Sequence, residues 1–440
     1  MRILLLFSLF FGLAFAQNLT EEQTQNVVQR LAEGAKQSWE LGTRAQALLT
    51  HSNSRYSVYY TGDDLSTAND DSSRDGTFLP PPTSPSSSSS TVDLAGALGI
   101  ASQVVGNRTR LNGNISGPQP LMKDGAAADP ASIGVAVLLA NWTGAPEPTN
   151  TSVSYAQAAQ DQLRFLLEDV PRSSTGAISH RVAQVQLWSD FIYMVPPFLA
   201  YYGVLTDNTT LIGMAFDQIS LYRDQLRDPD ANGLWKHVLL GSGVDGEPGN
   251  DEGHWSTGNA WAASGMLRVL GTIQHSPYAD DFQHQMVILE DWVYEIQNAM
   301  FGCLNSSTLI FTNYASDSSS FPDAASTALL ASSVYRLALL RDVWHFLPTA
   351  ERIRQNLFDS SSNHFTSDGW LTPVVNPHSY GVEGSESPEA QAFVLELQAA
   401  WGDWESAGRR GENGARSFKS ANWGATLVGL VGVAIGMGVL

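Results

Sequence analysis

The sequence predicts an all-α fold, a closed toroid of helical hairpins. Three observations carry this. Apolar residues recur with a helical period along nearly the whole chain. Convincing strand patterns are few. No strict internal repeat of the tetratricopeptide or ankyrin type is present, which favours a closed toroid over an open solenoid. The chain holds 440 residues and a single cysteine, Cys303, so no intramolecular disulfide can form and a large packed core must supply the stability.

The elements follow in order. Met1 and Arg2, an apolar run from Ile3 to Phe15 and a small-residue exit at Ala16 read as a secretory signal peptide over residues 1–16. Thr20 with Gln23 reads as a capping box that opens a helix reaching about Leu49. "RYSVYY" (Arg55 to Tyr60) is a strand candidate. "LPPPTSPSSSSS" (Leu79 to Ser90) cannot build a core and reads as a flexible surface loop. Helical stretches follow near 129–141 and 154–169. The series Ala215, Ile219, Tyr222, Leu226 predicts a helix, as do Ala262, Met266, Val269, Ile273 and Leu289, Val293, Ile296, Met300. "STLIFTNY" (Ser307 to Tyr314) is a second strand candidate. Further helices are expected near 322–341, 347–358 and 386–402.

At the far end, the small triplet Asn413-Gly414-Ala415, a polar spacer and the apolar tail Ala425 to Leu440 form a lipid-anchor attachment pattern. Asn413 is the expected attachment site and 414–440 the cleaved signal. Residues 17–413 then form a single domain. Loss of both ends removes Arg2, Arg416 and Lys419 and takes the formal charge from −20 to about −23. Such an acidic surface excludes nucleic acid as a partner. The sequons at Asn18, Asn107, Asn114, Asn141, Asn150, Asn208 and Asn305 agree with secretion and glycosylation. The expectation is a secreted monomer, held at the outer membrane face or wall by a lipid anchor alone.

Three neighbouring clusters carry the candidate chemistry. In "QLWSDFIYMVPPFLAYYG" (Gln186 to Gly203), Asp190 stands among aromatic and apolar residues, before a Pro196-Pro197 pair that must break or kink a helix. A carboxyl in such company is costly unless paired or raised in pKa, and a raised pKa suits a general acid. From composition alone, a helix-capping Asp is equally open. In "DPDANGLWKHV" (Asp228 to Val238), turn residues deliver Trp235 and His237 onto an extended stretch. In "GHWSTGNAW" (Gly253 to Trp261), His254, Trp255 and Trp261 flank a Ser-Thr-Gly-Asn turn. Indoles beside carboxylate, imidazole and amide groups suit sugar binding, so Trp188, Trp235, Trp255 and Trp261 are candidate stacking residues. The acids Asp245, Glu247, Asp251 and Glu252 fit no calcium-loop spacing, and His237 and His254 lack a zinc-like partner set, so neither metal nor organic cofactor is expected.

The order W-x-D…M…P-F-L-A…G, then D-x-x-x-x-G-L-W…H, then W-S-x-G-N-x-W resembles the unsaturated uronyl hydrolases of glycoside hydrolase families 88 and 105. The likeness is best from Gln186 to Thr272, looser from Phe321 to Leu340 and from Ser387 to Trp401. Before about Val137 nothing specific is matched. The resemblance implies a six-hairpin (α/α)6 barrel and an oligosaccharide substrate of plant or cell-wall type. By the same resemblance, Asp190 protonates the C4=C5 bond of a terminal unsaturated uronic acid and activates the water that adds at C5. His237, Trp255, Asn259 and Trp261 would line the sugar site. Two departures stand out. Thr257 replaces an Arg of the family pattern, which removes a natural bidentate partner for a uronate. The family's second, more N-terminal Asp has no match in the motifs. Two alternatives follow: an α-mannanase-like wall-remodelling enzyme using a neighbouring Asp pair (Asp63-Asp64, Asp70-Asp71 or Asp280-Asp281), or an inactive barrel that binds glycans.

Overall fold

The computed structural model describes residues 18–52, 56–60, 94–113 and 117–412. The stretches expected to be a signal peptide, a Pro/Ser-rich loop and an attachment signal, and the residues Asn114, Asn413, Asp63-Asp64 and Asp70-Asp71, lie outside them. In chain order the elements are α1 (Glu21–Gly34), α2 (Ser38–His51), α3 (Ala95–Asn112), α4 (Gly134–Trp142), α5 (Tyr155–Arg164), β1 (Leu187–Trp188), α6 (Phe191–Met194), α7 (Pro196–Leu205) and α8 (Thr209–Leu226). Then come β2 (Val238–Ser242), β3 (Gly249–Asp251), α9 (Ser256–Gln274), α10 (Gln283–Phe301), β4 (Phe311–Thr312) and β5 (Pro322–Asp323). The chain ends with α11 (Ala324–Arg341), α12 (Leu347–Phe358), β6 (Val374–Asn376), β7 (Ser379–Gly384) and α13 (Pro388–Ser406).

Burial sorts the long helices into two rings. Helices α2, α4, α7, α9, α11 and α13 are buried on nearly every side. Helices α1, α3, α5, α8, α10 and α12 bury one stripe each, as expected of helices with one face in water. Each inner helix packs on the next, and α13 returns to α2, so the ring closes. Each outer helix covers an inner one, α1 on α13 and α8 on α7 among them. This is an (α/α)6 barrel, as predicted. Among the described residues no helix is long and apolar enough to cross a membrane.

The capping box at Thr20 forms as read, with Gln23 N–H donating to Thr20 Oγ1 at 3.1 Å and Thr20 N–H to Gln23 Oε1 at 2.9 Å. The expected single helix to Leu49 is two. Gly34 packs tightly on Pro388 and Trp370, where a Cβ would lie 3.1 Å from each, and the chain reverses there from the outer to the inner ring. Glu40 restarts the helix by accepting the Lys36 and Gln37 N–H groups at 2.7 and 2.8 Å.

The strand expectations were too generous. Residues 56–60 form turns, with the adjacent Val58 and Tyr59 both buried, a pattern that a strand with one face to water does not give. Their anchor is the Val58 carbonyl, which accepts from His275 Nδ1 at 2.8 Å. Of Ser307 to Tyr314, Phe311 and Thr312 pair with Asp323 and Pro322, and Tyr314 makes an isolated antiparallel bridge to Trp255. A three-stranded antiparallel sheet, β1–β2–β3, and the hairpin β6–β7 lie beside the site.

Candidate active site

Two glycines on α9 position Asp190. A Cβ on Gly265 would lie 2.2 Å from the Ile192 carbonyl oxygen, and one on Gly258 would lie 2.2 Å from Ser189 Oγ. Without side chains there, residues 189–193 lie directly on α9. Ser189 N–H donates to the His237 carbonyl at 2.9 Å, and Arg268 Nη1 donates to the Tyr193 carbonyl at 3.0 Å. Pro196 and Pro197 end α6 and open α7, the break expected from their missing N–H groups. Asp190 stands at the N-cap position of α6, yet its side chain caps nothing. Its Oδ1 is buried without a protein partner. The capping reading of this residue is therefore not what its side chain does.

Asp190, Asp129 and His180 offer ligand atoms that all lie within 4.8 Å of one another. His180 Nε2 is 3.4 Å from Asp129 Oδ1. Burial pushes the Asp129 carboxyl well above the usual range, and the charges of Asp124 and Asp190 push it further. Burial also lowers His180 to about 4, against the pull of Asp190, so the ring is neutral over most of the pH range. Paired carboxyls with one held protonated are an acid/base arrangement. The two carboxylates and the imidazole have donor types that also suit a divalent cation. In the acid-rich loop, whose spacing fits no calcium site, three of the four acids are engaged: Glu247 by Arg181, Asp251 by His237 and Glu252 by Lys236.

The trio lines a cavity of about 330 Å³, at the small end of ligand pockets. Aromatic rings wall it. His180 stacks on Trp188, with centroids 4.9 Å apart and 14° between planes. His237 is fully buried and lies 4.4 Å from both the Trp255 and Tyr380 rings. Its Nδ1–H donates to Asp251 Oδ2 at 2.9 Å, and Tyr314 Oη–H donates to the same oxygen at 2.7 Å. Burial opposes the charge of Asp251, but these hydrogen bonds hold its pKa below the usual carboxylate range. His237 Nε2 is left without a protein partner, ready for a ligand. Glu389 forms part of the lining too. Burial and the charge of Glu40 raise it to about 7, although Trp39 Nε1 and Ser387 Oγ donate to it.

Of the residues singled out in the sequence, Asp190, Trp188, His237, Trp255 and Trp261 line this cavity. Trp235, His254 and Asn259 do not, which corrects the expectation for them. Trp235 is fully buried in the core. Asn259 is a brace: its Oδ1 accepts the Trp235 N–H, and its Nδ2 donates to the Trp235 and Trp255 carbonyls. His254 ties Asp228 to Ser316 behind the wall. The Ser-Thr-Gly-Asn "turn" is the first turn of α9. Thr257 lines the cavity but spends its hydroxyl on Asp323 Oδ2 at 2.9 Å, the buried cap of α11. Asp280 and Asp281 are exposed and absent from the cavity wall.

Asp129, His180, Arg181, Tyr380 and Glu389 were missed. Asp129 gave only a helix-start signal, Ala-Asp-Pro, and opens the short 3-10 turn before α4.

The model of the family described as Glycosyl Hydrolase Family 88 matches residues 139–364. No protein of curated function matches the sequence. Among solved structures, a possible family 105 member from Salmonella enterica serovar Paratyphi A is similar at 15% identity and TM-score 0.60, over 86% of this chain and 92% of that one. A family 88 glycosyl hydrolase from Bacteroides vulgatus is similar at 14% identity and TM-score 0.52, over 87% and 99%. The unsaturated glucuronyl hydrolase of Bacillus sp. GL1, responsible for glycosaminoglycan degradation, is similar at 12% identity and TM-score 0.55, over 86% and 94%.

Proposed function

Because the chain belongs to glycosyl hydrolase family 88 and is a glycoside hydrolase, we propose that it removes a terminal unsaturated uronic acid from an oligosaccharide, with Asp190 as general acid and base. Asp190 protonates C4 of the C4=C5 bond. Water adds at C5 and gives up its proton to Asp190, and the hemiketal opens with release of the next sugar. Asp129, whose carboxyl is held protonated by burial and by the charges of Asp124 and Asp190, supplies the proton that Asp190 passes to C4, and the proton recovered from water returns to the pair. Neutral His180 adds polar contact without charge. The rings of Trp188, Trp255, Trp261 and Tyr380 take the apolar sugar face. The observation that carries this reading is the free, buried Oδ1 of Asp190 in a cavity shared with Asp129.

The enzyme acts outside the cell, held by a lipid anchor at Asn413. The support is the leader-like start, the tail pattern and the exposure of the sequon residues Asn141, Asn150, Asn208 and Asn305. The test of function is loss of double-bond absorbance from lyase-generated pectin and glycosaminoglycan oligosaccharides. Asp190→Asn should lower turnover by roughly 10²–10⁴ with the thermal midpoint retained. Equal rates in wild type and variant, or no turnover by the wild type, would sink the proposal.

A further inference from the structure

A uronate brings a negative charge into a cavity already lined by Asp129, Asp190 and Glu389. It needs a cation. Thr257 cannot provide one, and its hydroxyl is committed to Asp323. Among the described residues, Arg181 is the only guanidinium on the cavity wall. It follows His180 directly, so it is anchored beside the carboxyl pair. His378, also on the wall, is largely exposed and 3.7 Å from Glu40.

Arg181 already holds a carboxylate. Its Nε and Nη2 donate to the two oxygens of Glu247 at 2.9 and 3.2 Å, the side-on fork geometry. A third donor completes the receptor: Gln186 Nε2 lies 3.2 Å from Glu247 Oε2. Gln186 is fully buried. Trp188 Nε1 donates to Gln186 Oε1 at 2.8 Å, and this fixes the amide with its NH₂ toward the Glu247 carboxylate. The receptor is thus built from below, through the same indole that stacks on His180.

The carboxylate that fills it comes from above, on a weakly held segment. Glu247 sits at the tip of the β2–β3 hairpin, "GSGVDGEPGN". Residues 242–246 are exposed, and Gly243, Asp245 and Gly246 have positive φ. The tip is closed by two backbone bonds, Glu247 N–H to the Val244 carbonyl at 3.0 Å and Gly243 N–H to the Pro248 carbonyl at 3.3 Å. Pro248, next to Glu247, reaches the cavity wall. A donor pair anchored from below by the buried Gln186, under a hairpin tip of Gly and turn residues, is the arrangement of a receptor with a replaceable occupant.

We propose that Arg181 and Gln186 form the carboxylate subsite of this enzyme, and that Glu247 is its resident surrogate, displaced when the carboxylate of the sugar enters. The inference rests on the uronate reading above. Glu247 then sets specificity by competition. A sugar without a carboxylate gains nothing from displacing it, whereas a uronate takes over the fork. Removing the surrogate relieves the competition and tightens uronate binding.

The full chain, its Glu247→Gln and Arg181→Gln variants are titrated calorimetrically with glucuronate, with glucose as the uncharged control. Glu247→Gln should bind glucuronate about tenfold tighter, about 1.4 kcal/mol, with glucose affinity unchanged. Arg181→Gln should lose the preference for glucuronate over glucose. Unchanged or weaker glucuronate binding by Glu247→Gln, with a thermal midpoint equal to wild type, would make the pair a strut and overturn the proposal. If Glu247→Gln unfolds, Gln186→Leu decides: it leaves Glu247 its Arg partner and must still weaken glucuronate selectively. Selective tightening without any turnover of unsaturated substrates would keep this subsite and reject only the reaction proposed above.

Discussion

Glu389 gives a prediction whose size follows from its surroundings. It is buried against Trp39, Ser387 and Glu40, and folding carries its pKa from 4.5 to about 7. At about 1.4 kcal/mol for each tenfold change in proton affinity, the difference amounts to about 3 kcal/mol. The sign is that of a carboxyl raised by folding: the folded state holds the proton more tightly than the unfolded one. The stabilising contribution is full below pH 4.5 and is lost as pH rises to about 7, after which it stays lost. Glu389→Gln mimics the protonated form at every pH and keeps groups able to meet Trp39 and Ser387. Denaturant unfolding of both proteins at pH 4.5 and pH 8 measures the effect. The variant should match the wild type at the acid end and exceed it by about 3 kcal/mol at the alkaline end. Parallel stability curves for the two proteins would refute the reasoning, because they would mean that Glu389 ionises as easily in the fold as in water.

Two further outcomes are expected. Gly265→Ala should destabilise by about 1–3 kcal/mol and lower kcat, since the new Cβ has nowhere to go but into the Ile192 carbonyl beneath Asp190; wild-type kcat with a wild-type thermal midpoint would contradict this placement. Asn259→Ala and Trp255→Ala should part company: the first strands the Trp235 and Trp255 backbone groups and should cost about 1–3 kcal/mol of stability, while the second should mainly weaken sugar binding, and a loss of binding alone in both would restore Asn259 to the sugar site.

The barrel was legible because its signals are local. Periodic apolar residues, the Thr20 capping box and the Pro196-Pro197 break each act within a few residues of chain. The site was legible where motif and geometry coincide, as at Trp188, Asp190, His237 and Trp255. Trp235 and Trp255 look alike in sequence, each beside turn residues. Only packing separates them, one buried behind Asn259 and the other on the cavity wall. Asp129 and Glu389 carry no aromatic neighbours and read as ordinary helix-start acids. They matter because the inner ring brings residues from distant hairpins to one end, and no local pattern records that meeting.

The return of α13 onto α2 has a consequence for how the protein comes into being. Trp39 and Glu389 meet across 350 residues of chain, a separation whose loop entropy must be met before the contact rewards it. The pocket floor is therefore assembled from the first and last hairpins of the barrel. During synthesis the helices can form and pair as they emerge, yet the cavity lacks one side until residue 389 has arrived. A nascent or proteolytically shortened chain would carry Asp190 and the indoles but not the finished cup. Activity is thereby tied to completion of the chain.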